Sequence, residues 1–346
     1  MKNELKIPSS LLNQLRQNNI NPSDLVFYVT SECNLRCKHC YIGNELLSQN
    51  QYFSIDDSIS FINSFSKLDR LTILGGEPFL YHGFPELLNS LNPSIINEFR
   101  ITSNLTEITP YQFIKDEIKE KLRICVSLDG HNQEIHEFIR GKGTFNKTVT
   151  NLKTIINDNV DVEVTHTIMS KNISYFRQFI DFIRSIGVKR INLHRMSLQG
   201  NGLINQQLQV SPTDYVAFCN DLKTMHNEAG EISIRFPIQF ANDATFRKIV
   251  TDQSYQPHTF KSYYGDNQRV VIYPTRQVFI SSEFFGTESY IGTFDDDSFY
   301  FNNQNINELT YFQNETASIS ELNPEQKGDE NYPYVLSVSF KEAVQV

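Results

Sequence analysis

Three of the chain's five cysteines fall within the run SECNLRCKHCYIG, residues 31–43, as Cys33, Cys37 and Cys40; the other two are Cys125 and Cys219. An odd total with three members clustered does not read as a secreted disulfide framework, and metal or redox chemistry in a reducing compartment fits it better. Structural zinc takes four ligands, so zinc here would need His39 or a distant residue. His39 adjoins Cys40, which makes tetrahedral ligation by both awkward. An iron-sulfur cubane is the other solution: three thiolates anchor it and its fourth iron stays open to a ligand. The spacing by itself leaves cluster, zinc and incidental cysteines all standing.

The elements around the cysteines alternate. LVFYVT (25–30) precedes the cysteine loop and the helical stretch SIDDSISFINSFSK, and RLTILGG (70–76) precedes a turn and FPELLNSL. EFRITSN leads into YQFIKDEIKEKL, RICVSLDG into FNKTVTNLKTIIND, and VDVEVTHTIM into SYFRQFIDFIRSIG, with VKRINLHRM last. Strand-length apolar runs followed by amphipathic helices predict an α/β fold, a partial (β/α)6 barrel of the TIM type with parallel strands. In such barrels the chemistry gathers on loops after strand C-terminal ends, which is where the cysteines fall. Residues 1–24 read as a short N-terminal leader segment and 25–203 as the barrel. Residues 204–346 read as a smaller helical and β-rich appendage.

Composition bounds the rest. With 346 residues, 39% hydrophobic and 12% aromatic, the chain can bury a large core. A formal charge of −9 argues against a general nucleic-acid binder. The N-terminus has no apolar h-region, and no later run approaches the roughly 18 apolar residues of a membrane span. A cytoplasmic protein with neither nucleic acid nor membrane as partner is expected.

The run CNLRCKHCY resembles the signature of radical S-adenosylmethionine (radical SAM) enzymes, and further matches stand at the ends of the later strands. GGEP (75–78), TSN (102–104), SLDG (127–130) and IRGKGTF (139–145) resemble, in order and spacing, the peptide-modifying, SPASM-like branch of that family. The resemblance covers about residues 25–200. It implies one 4Fe-4S cluster on Cys33, Cys37 and Cys40, and SAM as cofactor. Gly75, Gly76, Glu77 and Pro78 would meet the methionine amino group, Glu77 supplying the charge an ammonium needs. Ser127 and Arg140 resemble the residues that hold the ribose and carboxylate, a task that suits a guanidinium fork. Ser103, Asn104 and Asp129 belong to the same motifs. His39 takes the place of a ring near the adenine, and Leu193 resembles an adenine contact. Without these neighbours, a Gly-Gly turn is usually only a turn, Arg140 a surface arginine and Leu193 a core leucine.

The resemblance further implies reductive cleavage of SAM, with an electron from a flavodoxin or ferredoxin-type donor, and hydrogen abstraction from a ribosomally made precursor peptide. Intramolecular crosslinking, a cyclophane-type carbon-carbon bond, is the expected outcome. Epimerisation is the alternative; it needs a thiol to return hydrogen, for which Cys219 is the candidate, whereas Cys125, between Ile124 and Val126, reads as a small core residue. A zinc-binding protein without catalysis is the reading from another class. The C-terminal stretch VVIYPTRQVFISSEFFGTESYIGTF resembles the opening of an auxiliary-cluster domain, in which an apolar-x-Pro-Asp-Gly-x-apolar strand ends in a cysteine. Ser281 occupies that cysteine's place and no cysteine follows Cys219. A degenerate domain without an auxiliary cluster is therefore expected.

Overall fold

The computed structural model describes residues 4–18, 20–229, 232–235, 238–241, 244, 269–280, 290–302 and 334–337. One sheet dominates it. Its strands are β1 (Asp24–Tyr28), β2 (Arg70–Leu74), β3 (Phe99–Ser103), β4 (Leu122–Ser127), β5 (Asp161–Ile168) and β6 (Arg190–Arg195). They continue as β7 (Ser233–Arg235), β8 (Arg269–Ile272), β9 (Gln277–Phe279), β10 (Tyr290–Phe294) and β11 (Phe299–Phe301). Spatial order is β11-β10-β9-β8-β1-β2-β3-β4-β5-β6-β7. Every pairing from β8 through β1 to β7 is parallel, and β8 to β11 form an antiparallel meander. The two outer parallel strands, β7 and β8, do not pair with each other, so the barrel is open.

The six barrel strands are those expected, but the parallel sheet does not stop with them. β7 adds beyond β6, and β8 runs beside β1 with Arg269 opposite Asp24 and Ile272 opposite Phe27. The sheet therefore crosses the expected boundary at 203/204, and the stretch RVVI covers what would be a bare edge of β1. After β8 the chain turns through Arg276, left-handed at φ 63°, where the resembling pattern carries glycine. That conformation costs an L-residue about 1 kcal/mol. The Arg276 guanidinium meets Asp296 at 2.5 Å. Ser281, the position of the missing cluster cysteine, lies outside the described residues.

Period-two alternation sorts each strand. Leu25 and Phe27, Leu71 and Ile73, Phe99 and Ile101, Ile124 and Val126, Val162 and Val164, Ile191 and Leu193 all enter the core between sheet and helices. There they meet Ile62, Leu87, Leu88, Leu152, Ile155, Phe179 and Ile183 from the helices Ile55–Asn63, Phe84–Ser90, Thr144–Asn157 and Phe176–Ser185. The N-terminal leader is part of this core: Leu11, Leu12 and Leu15 of the helix Leu11–Gln17 are buried in it. No helix among the described residues is long and apolar enough to cross a membrane.

One expected helix is broken. YQFIKDEIKEKL forms a 3-10 turn (Thr109–Phe113) and a single α turn (Asp116–Lys119), with Ile114 and Lys115 extended between them. Tyr111 is buried with its hydroxyl donating to Asp158 Oδ2 at 2.9 Å, and Lys115 N donates to Asn89 Oδ1 at 2.9 Å. These tertiary bonds outweigh helix propensity, which is a weak prior over so short a stretch. A helix not foreseen, Gln133–Arg140, is capped by Asn132, whose Oδ1 accepts from Ile135 N at 3.0 Å, and it ends on Arg140.

The inner face carries an apolar cluster of Val26, Tyr28, Val271, Tyr273 and Phe279 at β1, β8 and β9; elsewhere it is largely polar, and its charges pair. Asp24 Oδ2 accepts from Arg70 and Arg269; Glu98 accepts from Arg70, Arg100 and Arg123 at 3.0 to 3.1 Å. Glu163 Oε1 accepts from Arg235 at 2.9 Å and lies 3.6 Å from Arg100. Breaking a buried pair from one side leaves a charge without its counterion, which costs about 3 to 5 kcal/mol. Glu163→Ala is therefore expected to lower stability by about 3 kcal/mol and Glu163→Gln by less, read from urea midpoints at unchanged slope. A shift below about 1 kcal/mol for the alanine variant would show that this belt is not structural.

Candidate functional site

The cysteine loop leaves β1 at the C-terminal edge of the sheet and is held on several sides. Lys38 N donates to Ile139 O at 3.0 Å and Cys40 N to Cys37 O at 3.2 Å. Cys37 is buried, and Cys33 and Cys40 are partly so. Burial pushes the Cys33 thiol up to about 12 and the Cys37 thiol to about 11, the nearby Arg140 guanidinium pulling Cys37 the other way. Such thiols ionise only on meeting a cation, which a metal supplies. Among the described residues no group of three or more His, Cys, Asp or Glu side chains is set to hold a metal ion.

The turn Gly75-Gly76-Glu77 packs directly on that loop. Gly76 N donates to Thr30 O and Glu77 N to Glu32 O, both at 2.7 Å. A Cβ on Gly75 would stand 2.7 Å from Thr30 O, and one on Gly76 only 2.2 Å from Glu32 O, so neither position accepts a side chain. Glu77 is fully buried and triply bonded: Oε1 accepts from Ser103 Oγ at 2.7 Å and Phe79 N at 3.2 Å, Oε2 from Asn104 N at 2.8 Å. Burial lifts it to about 7, the three bonds pulling down. Ser103 and Asn104 thus serve the site by aiming this carboxylate, and both also line the cavity beside it. Pro78 is buried at the start of the 3-10 turn that follows, off the cavity wall.

Across from this turn, Arg140 Nε donates to Asp129 Oδ2 at 2.6 Å, and Asp129 Oδ1 accepts from Thr167 N at 2.8 Å. Burial would raise Asp129, but the guanidinium holds it well below the usual carboxylate range. Arg140 reaches onward with Nη2 3.3 Å from His39 Nε2 and Nη1 3.9 Å from Cys37 Sγ. Burial lowers His39 to about 4, so its imidazole is neutral, and its Nδ1 is buried with no partner among the described residues.

A cavity of about 290 Å³ joins these groups, bordered by Cys33, Cys37, Cys40, Gly76, Glu77, Ser127 and Arg140. It falls near the lower end of small-molecule sites. It continues down the barrel past Thr165, Asn192, His194 and Cys125 to Arg100 and Glu163. Three features fit a thiolate-anchored cluster with SAM: the three thiols, a glycine cradle beside a buried carboxylate, and the orphaned His39 Nδ1.

Two expected residues lie elsewhere. Leu193 is fully buried in the outer core, and its neighbours Asn192 and His194 face the cavity instead, because adjacent strand residues point to opposite faces. Cys219 packs against the outer core from the helix Pro212–Ala229 and does not border the cavity, whereas Cys125 does. Cys125 was legible: it precedes Ser127 by two on β4, so a cavity-facing Ser127 requires a cavity-facing Cys125.

Reconstituted protein is expected to hold about four irons per chain, and Cys33→Ala, Cys37→Ala or Cys40→Ala to lose them, by iron and sulfide assay. Arg140→Ala should weaken SAM binding roughly ten- to hundredfold in equilibrium dialysis, the loss of one charge-assisted contact. Because that change strands buried Asp129, Arg140→Lys, which keeps the charge and loses the fork, is the folded control and should also weaken binding. Wild-type SAM affinity in Arg140→Lys and in Ser127→Ala together would mean the site is elsewhere.

Residues 27–183 match the radical SAM superfamily. The chain is 27% identical over 191 residues to the antilisterial bacteriocin subtilosin biosynthesis protein AlbA of Bacillus subtilis, covering 52% of this chain and 41% of that one. It is 24% identical over 219 residues to an AdoMet-dependent heme synthase of Methanosarcina barkeri, covering 60% of each. In three dimensions it resembles Streptococcus suis SuiB bound to its precursor peptide SuiA, with a TM-score of 0.60 at 16% identity over 79% of this chain and 63% of that one. The chain spans between 41% and 60% of the length of these curated relatives. The family uses a 4Fe-4S cluster and SAM. On the match, the cysteine loop and the cavity geometry together, this chain carries a radical SAM domain.

Proposed function

We propose that this protein is a radical SAM enzyme that acts on a ribosomally made precursor peptide and closes an intramolecular crosslink within it. The observation that carries this reading is the continuity of one cavity from the three cysteines, past Glu77, Ser127 and Arg140, into the barrel interior. AlbA is named for bacteriocin biosynthesis and SuiB holds a precursor peptide, which supports a peptide as substrate. Loaded with a cluster on Cys33, Cys37 and Cys40 and with SAM, the site would supply a carbon-centred radical able to remove hydrogen from an unactivated carbon.

The chain's own residues bind, aim and shelter. Glu77, fixed by Ser103 and Asn104, would meet the ammonium of bound SAM, and Arg140, fixed by Asp129, would offer its remaining N–H groups to the carboxylate. Ser127 and the neutral His39 border the same cavity. The barrel wall keeps water from a reactive centre. A flavodoxin or ferredoxin-type protein would bring the electron, and a cytoplasmic setting suits such a partner.

A second reading, epimerisation, gains from one observation: Cys125 lines the cavity one layer below Ser127, while Cys219 does not border it. Burial pushes the Cys125 thiol up to about 12, so it keeps the hydrogen a donor must hold. The two chemistries separate by mass in deuterated water. Crosslinking removes two hydrogens, so the peptide is expected to lose about two mass units, in Cys125→Ala as in wild type. A gain of about one unit that disappears in Cys125→Ala and persists in Cys219→Ala would replace crosslinking with epimerisation.

A further inference from the structure

Beyond the last barrel strand, residues 200–205 reach back across the C-terminal edge of the sheet and seize the cysteine loop by its backbone. Asn201 is buried, and its Nδ2 donates to Cys37 O at 2.9 Å and to Asn44 Oδ1 at 2.9 Å. Its Oδ1 accepts from Asn44 N at 3.2 Å, and its own backbone N donates to Cys40 O at 2.8 Å. One turn on, Asn205 Nδ2 donates to Lys38 O at 3.1 Å. Carbonyls of Cys37, Lys38 and Cys40 are thus all held by one short segment.

The contact is too close for any other residue at its centre. Gly200 is left-handed at φ 50°, and a Cβ there would stand 2.5 Å from Tyr41 O, 2.6 Å from Gly43 N and 2.8 Å from Cys40 O. Gly43 is left-handed in turn at φ 81°, with its own Cβ position 3.0 Å from Gly200 Cα. The two glycines are packed backbone to backbone.

We infer that Gly200, Asn201 and Asn205 form a positioning clamp for the cluster, holding the carbonyls of Cys37, Lys38 and Cys40 so that the loop keeps its grip on iron. Groups that support metal ligands are worth roughly ten- to hundredfold in metal affinity. The clamp springs from the strand that carries Arg195 and His194 into the cavity, so it also ties the cavity wall to the cluster loop. This inference rests on the proposed cluster.

The test compares anaerobically reconstituted wild type with Asn201→Ala, Asn201→Asp and Asn205→Ala. Iron loss to a chelator is expected to be about tenfold faster in Asn201→Ala and less accelerated in Asn205→Ala. Asn201→Asp keeps the acceptor for Asn44 N but turns the donor toward Cys37 into a second acceptor, so it should do no better than alanine. The reduced cluster's electron paramagnetic resonance signal should change shape, because the loop that carries its ligands is held less firmly. Thermal melting of cluster-free protein by circular dichroism separates misfolding from loss of grip, and if Asn201→Ala fails to fold, Asn205→Ala decides. Wild-type iron loss and spectrum in the folded variants would overturn the clamp. Failure of the wild type itself to take up iron would instead overturn the cluster reading.

Discussion

A barrel with a polar inside stands only if its buried charges are paired, and the belt of Asp24, Arg70, Glu98, Arg100, Glu163, Arg235 and Arg269 supplies that pairing. Ordinary parallel sheets are apolar on both faces. Here the outer face carries most of the hydrophobic burden; the inner face keeps one apolar cluster, Val26, Tyr28, Val271, Tyr273 and Phe279, and is otherwise released for threonines, asparagine, histidine and a thiol. The belt is the floor on which the cavity rests. Everything above it, from Cys125 to the cysteine loop, is positioned by strands that the belt ties together across neighbours.

At the top, positioning passes from charge to close backbone contact. Gly75 and Gly76 set the Glu77 turn against Thr30 and Glu32, and Gly200 sets the last loop against Tyr41 and Gly43. The cysteine loop is gripped from both flanks by chain that has no side chain to interpose. Glu77 and Asp129 then divide the work. One carboxylate, held by hydroxyl and amides, is lifted by burial to about 7; the other, held by a guanidinium, stays charged.

Much of this was legible in the sequence, for physical reasons that also mark where it stopped. The six barrel strands are long apolar runs with strong period-two patterns, and the cysteine spacing carries its own chemistry. The partner of β1 was not legible. RVVI looks like the start of a separate β unit, and only tertiary pairing reveals it as a parallel strand beside a segment some 245 positions earlier. Leu193 and Cys125 show a different failure. The leucine was assigned to a ligand by resemblance and the cysteine to the core by local character, whereas strand phase relative to Ser127 sends Leu193 into the outer core and Cys125 to the cavity. The broken helix at residues 109–119 follows from Asn89 and Asp158, partners that no local window contains.

The first helix and the final meander finish the same edge of the molecule: Phe299 N donates to Gln14 Oε1 at 3.0 Å, across a sequence separation of 285, and Phe294 stacks on Phe53. A ribosome adding 5 to 20 residues per second needs roughly 15 to 60 s to deliver the second partner after the first. For that interval β1 has an open flank and the leader helix lacks its cover. Since unpaired strand edges template association, the nascent chain is most exposed to aggregation while its barrel is otherwise nearly assembled. Slow elongation or early arrest would therefore damage this protein through the strand made first, long before any residue of the catalytic site is at fault.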